Sequence, residues 1–146
     1  MKVTNIANAT KGMKTFLFYD GKRIGERTNS RDSIVRALEE SLKEEKFGIL
    51  WNFDLTAKLK EKGVDFNTPY TVLEVCNPME AQRVLSENLL VGYFLPCKIA
   101  VFEEDGTTKI GMPKPTSLME ILHDDKIKKI AEDIEKQLIS SIDKAI

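Results

Sequence analysis

A chain of 146 residues, 42% apolar and 31% charged, has the makeup of one soluble globular domain, long enough to bury roughly 70% of its unfolded surface. A formal net charge of −1 supplies no field to gather a polyanion, so neither nucleic acid nor an anionic membrane is an expected partner. Two cysteines and a single histidine are too few for a disulfide framework or a closed zinc site, and no metal is expected.

No apolar run reaches the length that spans a bilayer. The opening Met1-Lys2-Val3-Thr4-Asn5-Ile6 lacks the apolar core and small-residue cleavage site of a signal peptide, so a reducing cytoplasm is the expected compartment. The polar stretch 1–14, punctuated by Gly12, reads as a loosely ordered arm ahead of a single domain over 15–146.

Thr15-Phe16-Leu17-Phe18-Tyr19 predicts a strand, and Asp20-Gly21 a hairpin turn returning through Lys22 to Thr28. Ser30 suits an N-cap and Asp32 the first turn of a helix over Arg31 to Lys46, whose Ile34, Ala37, Leu38 and Leu42 recur at helical spacing. Phe47 to Phe53 then predicts a largely buried strand. Asp54 caps a short helix that ends at Gly63, where a residue without Cβ takes up the left-handed conformation easily. Thr71 to Cys76 is the next strand. Asn77, Pro78 and Glu80 occupy the cap, first and third positions of a further helix.

After a connection from Asn88 to Pro96, Cys97 to Glu103 and Thr107 to Met112 form a hairpin around Asp105-Gly106. Pro113 and Pro115 end the pairing, and Ser117 to His123 is helical. The last helix carries Ile127, Ile130, Ile134, Leu138 and Ile142 on one stripe, with Lys128, Asp133 and Lys136 toward water. That stripe closes either the chain's own core or a two-fold contact with a second copy. The expected class is α+β, a mixed and mainly antiparallel sheet with helices packed on it.

The chemistry-bearing residues gather around the two cysteines. Cys76 ends one strand and Cys97 begins another, each beside a proline, so neighbouring strands would bring both thiols to one end of one sheet. Alternation puts Glu74 and Cys76 on the same face and sends Lys98 away from Cys97. A sulfur beside the unpaired N–H groups of the helix start at Asn77 would be favoured as thiolate or as the neighbour of an anionic ligand. The candidate site is therefore Glu74, Cys76, Asn77 and Cys97.

Two plain readings stand beside it. Free cysteines at strand ends serve as small buried hydrophobes, and Asn77-Pro78 is accounted for by helix capping alone. Glu74 is either an edge position open to water or a cleft carboxylate. Pro96 is a candidate cis residue. His123, between polar neighbours, is expected in solvent. Trp51, Phe53, Tyr93 and Phe94 are core or pocket lining, and Tyr93-Phe94-Leu95 would set an apolar wall beside the thiols. Neither a phosphate loop nor a serine nucleophile elbow occurs, and no cofactor is expected.

Glu45-Lys46-Phe47-Gly48-Ile49-Leu50, Phe53-Asp54-Leu55, Glu61-Lys62-Gly63 and Pro69-Tyr70-Thr71-Val72-Leu73-Glu74 resemble the domain of unknown function 302 family. Cys76-Asn77-Pro78, Leu95-Pro96-Cys97 and Asp105-Gly106 complete the resemblance, which runs from Ser30 to Met119 in order. It implies a small α/β fold and self-association as a homodimer, and it names no substrate. The expected function is a homodimeric small-ligand or thiol-site binding protein with its cleft near Glu74, Cys76 and Cys97. The alternatives are a thiol-dependent redox or sulfur-handling enzyme, and a non-catalytic interaction module whose exposed apolar surface lies along the last helix.

Overall fold

Asp105 and Gly106 both take positive φ, 53° and 74°, the pair of angles that a two-residue hairpin loop needs to match the twist of its strands. The loop joins β5 (Cys97–Glu104) to β6 (Thr107–Pro113) with Glu104 opposite Thr107. The structure is a computed structural model that describes residues 4–5, 16–20 and 31–145. Its described strands form one sheet in the order β1-β2-β6-β5-β4-β3, every neighbouring pair antiparallel. Here β1 is Thr4–Asn5, β2 Phe16–Asp20, β3 Gly48–Asp54 and β4 Tyr70–Cys76. The expected return arm over Lys22 to Thr28 and the cap at Ser30 lie outside the described residues, as does most of the 1–14 arm.

The helices are α1 (Arg31–Glu44), α2 (Leu55–Glu61), α3 (Pro78–Glu87), α4 (Pro115–Met119) and α5 (Asp125–Ala145). Their ends follow from local chemistry. Asp54 accepts a hydrogen bond from the Ala57 N–H at 2.9 Å. Asp124 accepts from Lys126 and Ile127 at 2.9 and 3.2 Å, each satisfying N–H groups that a helix start leaves open. Gly63, at φ 77°, closes α2 as expected, with Val64 N–H reaching back to Leu59 O at 2.9 Å. The same closure ends α1 without glycine: Lys46 takes φ 63° while Phe47 N–H bonds Leu42 O at 2.9 Å.

The core lies on one face of the sheet. Leu73, Val75, Ile99, Val101, Ile110 and Met112 face Leu38 and Leu42 of α1, Val84 of α3, Met119 of α4 and the stripe of α5. Ile127, Ile130, Ile134, Leu138 and Ile142 are all buried, each stabilising the fold by about 1.5–3 kcal/mol before entropy is counted. The stripe therefore closes this chain's own core, and the expected apolar surface along the last helix is not there. The exposed large apolar residues stand elsewhere, among them Leu50 and Trp51 in β3 and Leu89, Leu90 and Tyr93 in the 3₁₀ segment Leu89–Phe94.

Strand β3 corrects another expectation. It ends the sheet, and Leu50 and Trp51 are 62% and 52% exposed, so Phe47 to Phe53 is not a largely buried strand. A continuous apolar run reads as buried on both faces, whereas here the strand is the last of the sheet and Leu50 sits, exposed, in a register shift between Ile49 and Trp51.

Candidate functional site

Strands β4 and β5 are direct neighbours, with Val75 opposite Cys97 and Glu74 opposite Lys98. The end of β4 and the start of β5 consequently lie side by side, as the two cysteines required. Both are free thiols and both are partly buried. Together with Asn77, Phe47, Val75, Glu80, Ala81, Leu95 and Ile134 they line a hollow of about 10 Å³. A space of that size holds at most one water molecule, so the hollow that the two cysteines share does not take a ligand.

Burial sets the acid–base state of the pair. Desolvation first, and the neighbouring Cys76 second, push the Cys97 thiol up to about 11. Desolvation also raises the Cys76 thiol above its ordinary value. The helix start beside Cys76 does not reverse this, because its N–H groups are already used. Asn77 Oδ1 accepts from the Met79 and Glu80 N–H groups at 3.1 and 3.4 Å. Asn77 is buried, and its amide nitrogen donates to Glu45 O at 3.3 Å and to Gln137 Oε1 at 3.4 Å. One side chain thus caps α3 and ties it to the end of α1 and to α5.

Glu74 does not line the hollow. It projects from an inner strand, neither at an edge nor in a cleft, and forms an ion pair with Lys98 of the adjacent strand. Its side chain is 19% exposed, which fits a carboxylate whose charge is matched across the strands.

A larger cavity opens on the other side of the Leu95-Pro96-Cys97 corner. Its volume is about 280 Å³, and Tyr93, Phe94, Leu95 and Cys97 form one wall while Leu118 and Met119 form the other. Pro96, in a cis peptide with Leu95, Lys98, Pro113 and Pro115 complete it. The 3₁₀ segment Leu89–Phe94 holds Tyr93 at the rim, anchored by the Leu90 N–H that donates to Asn88 Oδ1 at 2.9 Å. Lys98 is the one charged residue of this lining, and Glu74 already engages its ammonium.

Of the aromatic residues named from sequence, Tyr93 and Phe94 border this cavity, while Trp51 and Phe53 stack on each other at 4.7 Å on β3. His123 is exposed and left-handed, at φ 48°. Among the described residues no group of three or more His, Cys, Asp or Glu side chains is placed to hold a metal ion. Sequence reasoning missed Leu118, Met119, Pro113 and Pro115. The only signal for them was the proline pair that ends β6.

The antiparallel sheet with one helical layer, and the cysteines at its paired strand ends, define a small α+β protein of a recognisable class. The family profile for domain of unknown function DUF302 matches residues 26–145, and the chain belongs to that family. It is similar to a solved structure described as an uncharacterized conserved protein DUF302 from Bacillus stearothermophilus. The two are 53% identical with a TM-score of 0.83, over 90% of this chain and 98% of that one. No curated protein matches the chain. No described helix is long and apolar enough to cross a membrane.

Proposed function

We propose that this chain is a cytoplasmic homodimeric binding protein whose site is the cavity beside Cys97, and that its ligand is small, largely apolar and uncharged. The observation that carries the reading is the cavity itself, about 280 Å³ with an almost wholly apolar wall, close to the lower end of the usual range for ligand pockets. The four residues singled out from sequence then take distinct parts. Cys97 is a wall residue. Cys76 and Asn77 pack behind it and hold the strand end against α3 and α5. Glu74 neutralises Lys98, so the cavity presents no free cation that would select an anion.

The protonated state of Cys97 favours binding over thiol-dependent catalysis, because the thiolate is the nucleophile and a thiol near 11 offers little of it at neutral pH. Two free thiols sharing one hollow accord with a reducing compartment. The test is calorimetric titration with naphthalene-type probes, neutral and sulfonated, against the natural chain and Leu118→Trp, which fills the cavity. Saturable binding of the neutral probe, weaker for the sulfonate and lost in Leu118→Trp, is the expected result. Absence of saturable binding to the natural chain overturns the reading.

A further inference from the structure

The face of the sheet turned away from the core carries an aromatic stripe. Cross-strand register puts Phe53 opposite Val72, Trp51 opposite Glu74, Tyr70 opposite Phe102, and Val72 opposite Ala100. Trp51 stacks on Phe53, and the Tyr70 and Phe102 rings stack at 5.0 Å, within 9° of parallel. None of these residues belongs to the buried core or packs on it. With exposed Leu50 they make a continuous apolar surface across three strands, the kind of patch that a solitary soluble protein keeps small.

We infer that this face is the contact surface for a second copy of the chain, packed sheet face to sheet face about a two-fold axis. The inference rests on the homodimer part of the function proposed above and names its interface. The charges on the face select the occupant. Lys98 is paired with Glu74, and Lys109 with Glu104 at 3.4 Å, so these four side chains sum to zero and neither cation is left to gather phosphates. A polyanionic partner needs such cations. A two-fold contact needs a surface complementary to itself, and an apolar stripe flanked by matched Glu–Lys pairs has that property. Two-fold rotation allows Glu74 of one copy to approach Lys98 of the other. The register shift at Leu50 also bends the β3 edge, which discourages the alternative of joining two sheets edge to edge.

Trp51 is the only tryptophan of the chain, so its fluorescence reports the face directly. Light scattering during gel filtration and acrylamide quenching, over a dilution series of the full chain, make the test. The expected result is a dimer with blue-shifted, poorly quenched Trp51 that turns red-shifted and accessible on dilution. Leu50→Glu and Val72→Arg should each weaken dimerisation by roughly 30-fold or more, the size of an interface hot spot. Leu89→Glu, a change at an exposed leucine off this face, should leave it intact. Circular dichroism confirms folding, and Leu50, exposed in the monomer, tolerates glutamate if Val72→Arg does not fold. A natural chain that stays monomeric at every concentration overturns both the homodimer and its interface. A dimer with fully quenched Trp51, or one that Leu50→Glu leaves unchanged, overturns the interface alone. A monomer whose Trp51 emission shifts on adding single-stranded DNA or anionic vesicles overturns the choice of occupant.

Discussion

Replacing Asn77 separates helix capping from the tethering of three helices. Asn77→Ala removes the acceptor for Met79 and Glu80 and the donor to Glu45 O and Gln137 Oε1. Loss of the cap costs about 1 kcal/mol. The two donor bonds of a buried amide contribute about 1 kcal/mol each, giving about 3 kcal/mol in all. Asn77→Ser keeps an oxygen at the cap and loses only the tethers, about 2 kcal/mol on the same accounting. Urea unfolding followed by far-UV circular dichroism, with a common slope, resolves the difference. At this chain length, 3 kcal/mol corresponds to a fall in Tm of about 6–12 °C. Equal destabilisation by Ala and Ser would refute the capping part, and a total below about 1 kcal/mol for Ala would refute the tethering part.

Cys97, protonated until about pH 11, should react with iodoacetamide more slowly than Cys76 at every pH below that value, and mass spectrometry of the alkylated peptides checks the order. The sign for stability follows from linkage: the folded chain holds the Cys97 proton from about 9 to about 11 while the unfolded chain releases it, so stability falls as pH rises through that window. The loss should approach about 3 kcal/mol relative to Cys97→Ala in paired urea titrations, and parallel pH profiles would contradict it. Leu138→Ala, in the buried stripe of α5, should cost about 2–5 kcal/mol, and the cost should not vary with protein concentration, since the stripe closes the monomer core. Gly63→Ala meets no atom within 4 Å, so its cost should be only the strain of a side chain at positive φ, about 1–2 kcal/mol by thermal unfolding.

Features decided within a few residues were open to reading from sequence. Asn77-Pro78, Asp54, Gly63 and Asp105-Gly106 each satisfy or bend the backbone next to themselves, and each does so where the chemistry of capping and turns places it. The α5 stripe was equally plain, because five apolar residues at helical spacing require a buried partner. What they bury against was not legible, since the answer depends on α1 and the sheet, far away in sequence. The exposure of β3 was misread for the same reason: apolar composition cannot distinguish an edge strand with a covered face from a central one. At the site, adjacency of the cysteines hung on a strand order that the sequence does not give, and the cavity was not legible at all. Leu118 and Met119, its second wall, lie more than one element downstream of Cys97 and carry no polar residue to mark them.

The most direct test of ligand binding beside Cys97 is the methyl spectrum of the chain labelled at methionine, titrated with a neutral bicyclic aromatic probe. Met119 lines the cavity and is buried, whereas Met79 is 68% exposed and is not part of its lining. A saturable shift of the Met119 methyl with Met79 unmoved is the predicted result. A static Met119 signal, or one that moves only in step with Met79, would contradict it.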